Sequence, residues 1–496
     1  MSVFKKLAGE TMIYGMSYIL PRVLHYVIFT FYLTYKFTAQ EDYGIYLDLY
    51  AYAAILLVLY KYGMETSFFR FATGKSGDLE KSFSASTTSI LTTTLIFTGL
   101  FVLMADEIAA WLYYPDKQEY IYWFAAIIGI DAISSIPFAR YRLEKRPIRF
   151  AVYKIFNTIF TIILVVFFLD ICPYMMDNGY GEYITFYNPD LQLDYVFISN
   201  LIASAAVLIL LVPQFMKINL KLDFSFWKKM MWYGLPLTLV AASGVINQSF
   251  SIPIIKYIYG SGIQENLIAA GIYGAAAKLA LIMNLFTVAF NYAAEPFFFS
   301  SSDRKDSPEL YAVTARAFAL FGSIFFLGVL LYKDIFVLFL GPNYRADTYV
   351  LPILLMSYIF LGLYYNISIW YKLKDKTSIG AFISIGGAII TLLINFIFIP
   401  KIGTIAAAWA SFFCYASMMV AGYLIGKRFF PIPYNIGRIS YYILLSLLFY
   451  WINLLVREYL PEVWEILIFN TFLFALYFLI LFKTENNWLR KVVAIK

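Results

Sequence analysis

Long apolar stretches separated by short polar ones run the length of the chain. A bilayer is crossed by ~20 apolar residues, and segments of that length fall near 11–35, 44–66, 85–105, 119–139, 150–169, 194–215, 231–256, 267–293, 310–332, 348–370, 378–399, 403–425, 439–456 and 464–482. The pattern therefore predicts an all-α integral membrane protein with fourteen transmembrane helices. The second, seventh and eighth segments are aromatic-rich and dotted with polar residues, as a helix would be with one face on a cavity. The first stretch is too long for a signal-peptide core and lacks an obvious small-residue cleavage site, so it reads as a retained span.

Composition agrees with this picture and narrows it. Of 496 residues, 61% are apolar and 14% charged, more apolar surface than a soluble domain could hide. The two cysteines, Cys172 and Cys414, form no pair motif, and His25 is the only histidine, which disfavours a zinc site or a catalytic triad. The net charge of +7 is dispersed among short loops, so it makes no face for nucleic acid. Its placement reports topology instead. With the N-terminus inside, 26 loop Lys and Arg residues fall on the inner side and seven on the outer, which predicts a multi-pass protein with both termini cytoplasmic. The largest expected outer loop, Asp170 to Asp194, carries five acidic residues and no basic one. It is too short for a catalytic domain, so the chain reads as a non-enzyme, and a polytopic glycan-assembly enzyme is the less favoured alternative.

The first six spans recur about 230 positions later. Ile13-Tyr14-Gly15 resembles Trp232-Tyr233-Gly234, and Gly44-Ile45-Tyr46 matches Gly271-Ile272-Tyr273. Glu65 with Phe68-Phe69 answers Glu295 with Phe298-Phe299, and the turn Tyr141 to Arg146 answers Tyr371 to Lys376. These matches keep their order and their places in the topology. An even number of spans per repeat gives both copies the same orientation. The expected organisation is an N-terminal six-helix lobe over 1–220, a C-terminal six-helix lobe over 221–430, and helices 13 and 14 with a cytoplasmic tail over 431–496.

Two parallel six-helix bundles with a further helix pair resemble the multidrug, oligosaccharidyl-lipid and polysaccharide exporter superfamily, in particular its Wzx-type O-antigen and polysaccharide flippase branch. The resemblance rests on span count, repeat and aromatic-rich opening and covers the whole chain. It implies two lobes around a central cavity, alternating access, and translocation of an undecaprenyl-diphosphate-linked oligosaccharide to the outer leaflet. Membrane lipids and glycan polymerase machinery are the further partners expected of a functional monomer. A small-molecule or drug cation antiporter of the same fold is the alternative.

Ionisable groups at mid-bilayer cost ~2.5–3.5 kcal/mol on insertion scales, so each marks a candidate site. Arg22 lies about 11 residues into the first span, roughly 17 Å deep, beside Pro21, which should bend the helix. Tyr14, Tyr18, Arg22 and His25 share one helical stripe. Asp131 and Lys278 lie at similar depth, and Asn247 lies in the seventh span between Pro236 and Pro253. A guanidinium offers paired donors to phosphate oxygens, so Arg22, with Lys278, is expected to bind the substrate's diphosphate, and Tyr18, His25, Asp131 and Asn247 to line the polar path. The alternative is that Arg22 or Lys278 only neutralises Asp131 and ties helices together. Lys61 and Glu65, spaced i, i+4, and Glu295 are candidates for a gate or for ion coupling, and Lys154 and Arg316 are expected to snorkel to the cytoplasmic interface. No cofactor is expected. Gly74-Lys75-Ser76 lacks the first glycine of a phosphate loop, with Phe69 in its place. Energy is left to membrane potential, substrate mass action or an ion gradient, with Asp131 and Glu65 as carboxylates that could couple to H⁺ or Na⁺.

Overall fold

The computed structural model describes residues 20, 23–24, 29–73, 77–144, 146–216, 218, 223–300, 306–374, 376–460 and 462–494. Among them are thirteen helices long and apolar enough to cross a membrane, and no strand. They run from Gln40–Thr73 to Val463–Trp488 and correspond one to one with the second to fourteenth expected spans. Most of the first, with Tyr18, Arg22 and His25, lies outside the described residues.

Local chemistry sets where these helices begin and end. Asp78, Asp223 and Asn435 cap helices by accepting from the amides of Lys81, Phe226 and Arg438 at 2.9–3.0 Å. Pro147, Pro308 and Pro352 stand in first turns, where no amide is needed. The first described span is broken after Lys61 by Tyr62 (φ 30) and Gly63 (φ 72), which join Gln40–Lys61 to Met64–Thr73. The expected 170–194 loop is shorter than the sequence suggests. The helix beginning at Pro147 passes through a π-turn at Phe167–Ile171 and continues to Asp177, with Asp170 in that turn held by Lys36 and Tyr32.

The chain forms two compact units, 1–271 and 272–496, the division falling inside the helix Ile263–Ser300. In the first, Tyr46, Tyr50, Phe124 and Phe197 form a chain of rings with successive centroids 4.7–5.2 Å apart. The seventh expected span, Phe224–Ser249, packs there on Gln40–Lys61 and Met64–Thr73. In the second, Phe318 stacks on Phe286 and meets Phe290 edge-to-face, and its ring fills the space that a side chain at Gly362 would need. Its last two helices fasten to Ser307–Leu331 through polar groups: Tyr477 donates to Ser323, Asn470 reaches the Leu331 carbonyl, and Arg316 meets Glu485.

The repeat is written in the backbone of both units. The Arg146 amide donates to the Tyr141 carbonyl at 2.9 Å, and the Lys376 amide to the Tyr371 carbonyl at 2.8 Å. Glu144 to Arg140 and Lys374 to Trp370 repeat the preceding bond, both at 2.9 Å. Phe68 and Phe298, matched in sequence, are both fully buried, each with its ring edge-to-face on an aromatic, Phe83 and Tyr311 respectively.

Candidate functional site

Asp131 stands halfway along Gln118–Leu143, ~20 Å from one end and ~18 Å from the other. Its Oδ1 accepts from Ser204 Oγ at 3.2 Å, and Ser204 lies one turn from Asn200, whose amide reaches Tyr50. A carboxylate at this depth requires compensation. Lys154 and Lys61 supply it electrostatically.

Lys154 belongs to the next helix, ~10 Å from its start at Pro147. Instead of reaching only for the interface, its ammonium lies 4.3 Å from the Phe138 ring centroid and interacts with Asp131, Lys61, Glu65 and Arg142. Lys154 keeps an exposed side chain despite that company. The break at Tyr62–Gly63 turns the chain between Lys61 and Glu65, whose charged groups stand 3.5 Å apart. Glu65 also binds Arg142, and the Arg142 guanidinium lies 4.6 Å from the Phe69 ring. Three cations, Lys61, Arg142 and Lys154, thus gather around two carboxylates, Glu65 and Asp131, on three neighbouring helices of the first unit.

The sequence points to Asp131, Lys61 and Glu65, and the structure brings them into one network. Two further members escape the sequence. Arg142 counts there as a loop charge and Lys154 as a snorkelling one, and no spacing within either segment reveals partners 77 and 23 residues away. Asn247 is buried in the first unit, and Lys278, partly exposed, belongs to the second. Glu295 sits on Ile263–Ser300, where its side chain is outside the described set, as are Tyr18, Arg22 and His25. Arg316, expected to snorkel, is drawn inward by Glu485 and by Tyr442, to which it donates at 2.9 Å. No cluster of three or more His, Cys, Asp or Glu suited to a metal occurs among the described residues.

No family model and no curated protein matches the sequence. Solved structures do match. A lipid II flippase, MurJ, in an inward closed conformation is similar over 96% of this chain and 98% of its own, with a TM-score of 0.70 at 14% identity. An inward-facing multidrug resistance MATE family transporter of the MOP superfamily is similar over 87% and 98%, with a TM-score of 0.61 at 13% identity. The MATE multidrug transporter DinF-BH is similar over 86% and 96%, with a TM-score of 0.59 at 15% identity. What these likenesses establish is the fold, which is that of MOP-superfamily membrane transporters.

Proposed function

We propose that the chain is a flippase that carries an undecaprenyl-diphosphate-linked oligosaccharide from the cytoplasmic to the outer leaflet of a bacterial inner membrane by alternating access, with no catalytic chemistry of its own. The observation that carries this reading is the gathering of Lys61, Arg142 and Lys154, from the inner half of the spans to their cytoplasmic ends, in a cluster where cations outnumber carboxylates three to two. A diphosphate suits such a site: a guanidinium and two ammonium groups offer charge-assisted hydrogen bonds, strengthened where water is scarce. Arg22 and Lys278 extend the same role, with Tyr18, His25 and Asn247 along the path. Glu65 and Asp131 keep the cations ordered when no substrate is present, and Glu295 joins Lys61 and Glu65 as a candidate for gating or ion coupling. The fold shared with a lipid II flippase supports a lipid-linked cargo, and the MATE likeness keeps a cation antiporter as the second reading, for which Asp131 would be the substrate's counter-charge.

Export of the cell-surface glycan in a strain dependent on this protein tests the reading. Arg22→Ala and Lys154→Ala should each abolish or greatly reduce export at near-normal protein abundance, and Arg22→Lys should restore it only in part, since a point charge cannot replace a planar fork. If Arg22→Ala combined with Asp131→Asn restores both abundance and export, Arg22 serves only to neutralise Asp131 and its assignment to the diphosphate fails.

A further inference from the structure

A second ion pair in the first unit has no exposed surface at all. Lys256 Nζ lies 2.7 Å from Asp48 Oδ2, and both side chains are fully buried. The ammonium also donates to the Leu112 carbonyl at 2.6 Å and sits 3.9 Å from the Tyr114 ring centroid, while the Tyr114 hydroxyl donates to the same Asp48 oxygen at 2.8 Å. Asn266 Nδ2 holds the Lys256 carbonyl at 2.9 Å. Helix Gln40–Lys61, the turn after Trp111, helix Ser251–Ile258 and the start of Ile263–Ser300 therefore meet on one buried pair, at the end that the charge count assigns to the outside. Among the described residues Asp48 Oδ1 has no hydrogen-bond partner.

One turn away the two repeats touch with no side chain between them. A Cβ on Gly44 would stand 2.1 Å from the Leu267 carbonyl oxygen, and a Cβ on Gly271 would stand 2.3 Å from that of Gln40. Gly44 and Gly271 are 227 positions apart, and so are Gln40 and Leu267. The crossing is thus self-complementary: each glycine packs on the residue four positions before its counterpart. Gln264 and Glu41 close the rim with a hydrogen bond of 2.8 Å.

We propose that this seam is a reversible latch that shuts the outer end of the transport path and parts once in each cycle. Three observations favour a latch over a permanent joint. A joint that never opens is made as well or better from apolar side chains, because a buried ion pair recovers its desolvation cost only in part. When the seam parts, both ions regain water, so the pair makes opening easier than an apolar contact of the same size would. The orphaned Asp48 oxygen is the point where water first enters. Glycine contacts, with no interlocked side chains, let the same two helices separate and meet again in the same register.

The inference rests on the transport reading but not on its substrate, and its test reads opening directly. In full-length protein with Cys172 and Cys414 replaced by alanine, Ala51→Cys places a buried thiol one turn beyond Asp48, so that a membrane-impermeant maleimide from outside must pass the pair. Lys256→Gln should raise the labelling rate roughly tenfold or more, because it strands a buried carboxylate. Asp48→Leu with Lys256→Met should label more slowly than the parent and export no glycan while remaining folded. Equal rates in all three folded proteins would overturn the latch. Should Lys256→Gln not accumulate, the apolar double variant decides alone: slower labelling supports the latch, and unchanged or faster labelling refutes it. Failure of the parent itself to export glycan, with these labelling changes intact, would count against the proposed substrate and leave the latch standing.

Discussion

Gly63 meets Gly234 backbone to backbone, so that a Cβ on Gly63 would stand 2.1 Å from the Gly234 carbonyl oxygen. Gly63 also has φ +72, a conformation that costs L residues strain. Gly63→Ala should therefore destabilise by at least the ~1–3 kcal/mol of overpacking. At Gly234 an added Cβ would meet the Ser67 hydroxyl oxygen at 2.7 Å and the Gly63 backbone at 3.1 Å, and Ser67 can turn away only by giving up its bond to the Met230 carbonyl; that is still less crowded than 2.1 Å from a carbonyl oxygen, so Gly234→Ala should cost less. Gly244, on the same helix with nothing within 4 Å among the described residues, is the control, and alanine there should gain ~0.5–1 kcal/mol of helix propensity. Thermal unfolding in detergent checks this order.

Glu485 has no exposed surface and binds Arg316 through one oxygen and Arg438 through the other, the latter at 3.0 Å. Arg316 lies 4.2 Å from the Trp488 ring as well. Glu485→Ala leaves Arg316 without its carboxylate in a half-buried site and should lower stability by ~3–5 kcal/mol. Glu485→Gln should fall between, since it keeps an acceptor but no charge. Folded fraction after solubilisation, followed by size-exclusion chromatography, reads both.

Asp223 begins the helix Phe224–Ser249, accepts from the Phe226 amide at 3.0 Å and pairs with Lys81 at 2.8 Å. The Lys81 hydrogen bond, then the Phe226 amide, hold its carboxyl below the ordinary value of 3.8. A carboxyl depressed in the folded state stabilises above its unfolded value and loses that contribution as pH falls through the folded one. Asp223→Asn keeps the cap and loses the charge. The parent should be the more stable at pH 7, and the difference in unfolding temperature should start to shrink as the pH drops to the 3.8 of the free carboxyl and vanish only below the lower folded-state value.

Tyr180 is exposed in the connection between Cys172–Asp177 and Gln192–Phe215. Tyr180→Cys should react with an impermeant maleimide added outside intact cells. Gly77→Cys, at an exposed position of the 70–81 loop, should react only after the membrane is opened. Reaction of residue 180 from the cytoplasmic side alone would reverse the topology.

The spans are legible in the sequence because each is a run of apolar residues whose length the bilayer fixes, and the repeat because its matches keep their order at close helix contacts such as Gly44 and Gly271, where no side chain fits, and at the turns after Tyr141 and Tyr371. Pairings across helices are not legible. Arg140 counts by position with the cytoplasmic loop charges, yet it is 3% exposed, held by Glu80, 60 residues earlier, and by Glu144 at 2.6 Å. Asp48 and Lys256, 208 positions apart, neutralise each other completely buried, and nothing in either segment names its partner. Depth along a helix follows from counting residues, whereas the neighbour that a side chain meets follows from how helices pack. Arg22 stands out in sequence because no apolar span tolerates an arginine without a reason, and that residue lies outside the described part of the chain.

Translocation by the purified protein tests the central claim most directly. In proteoliposomes loaded with a fluorescent undecaprenyl-diphosphate-linked sugar, protection of the inner-leaflet label from an impermeant quencher measures movement between leaflets. The parent should move the lipid well above protein-free vesicles, and Arg142→Ala with Lys154→Ala should cut the rate roughly tenfold or more, as expected when charge-assisted contacts to phosphate are removed. Absence of translocation by a folded parent that instead extrudes a cationic dye would contradict the account and establish the antiporter.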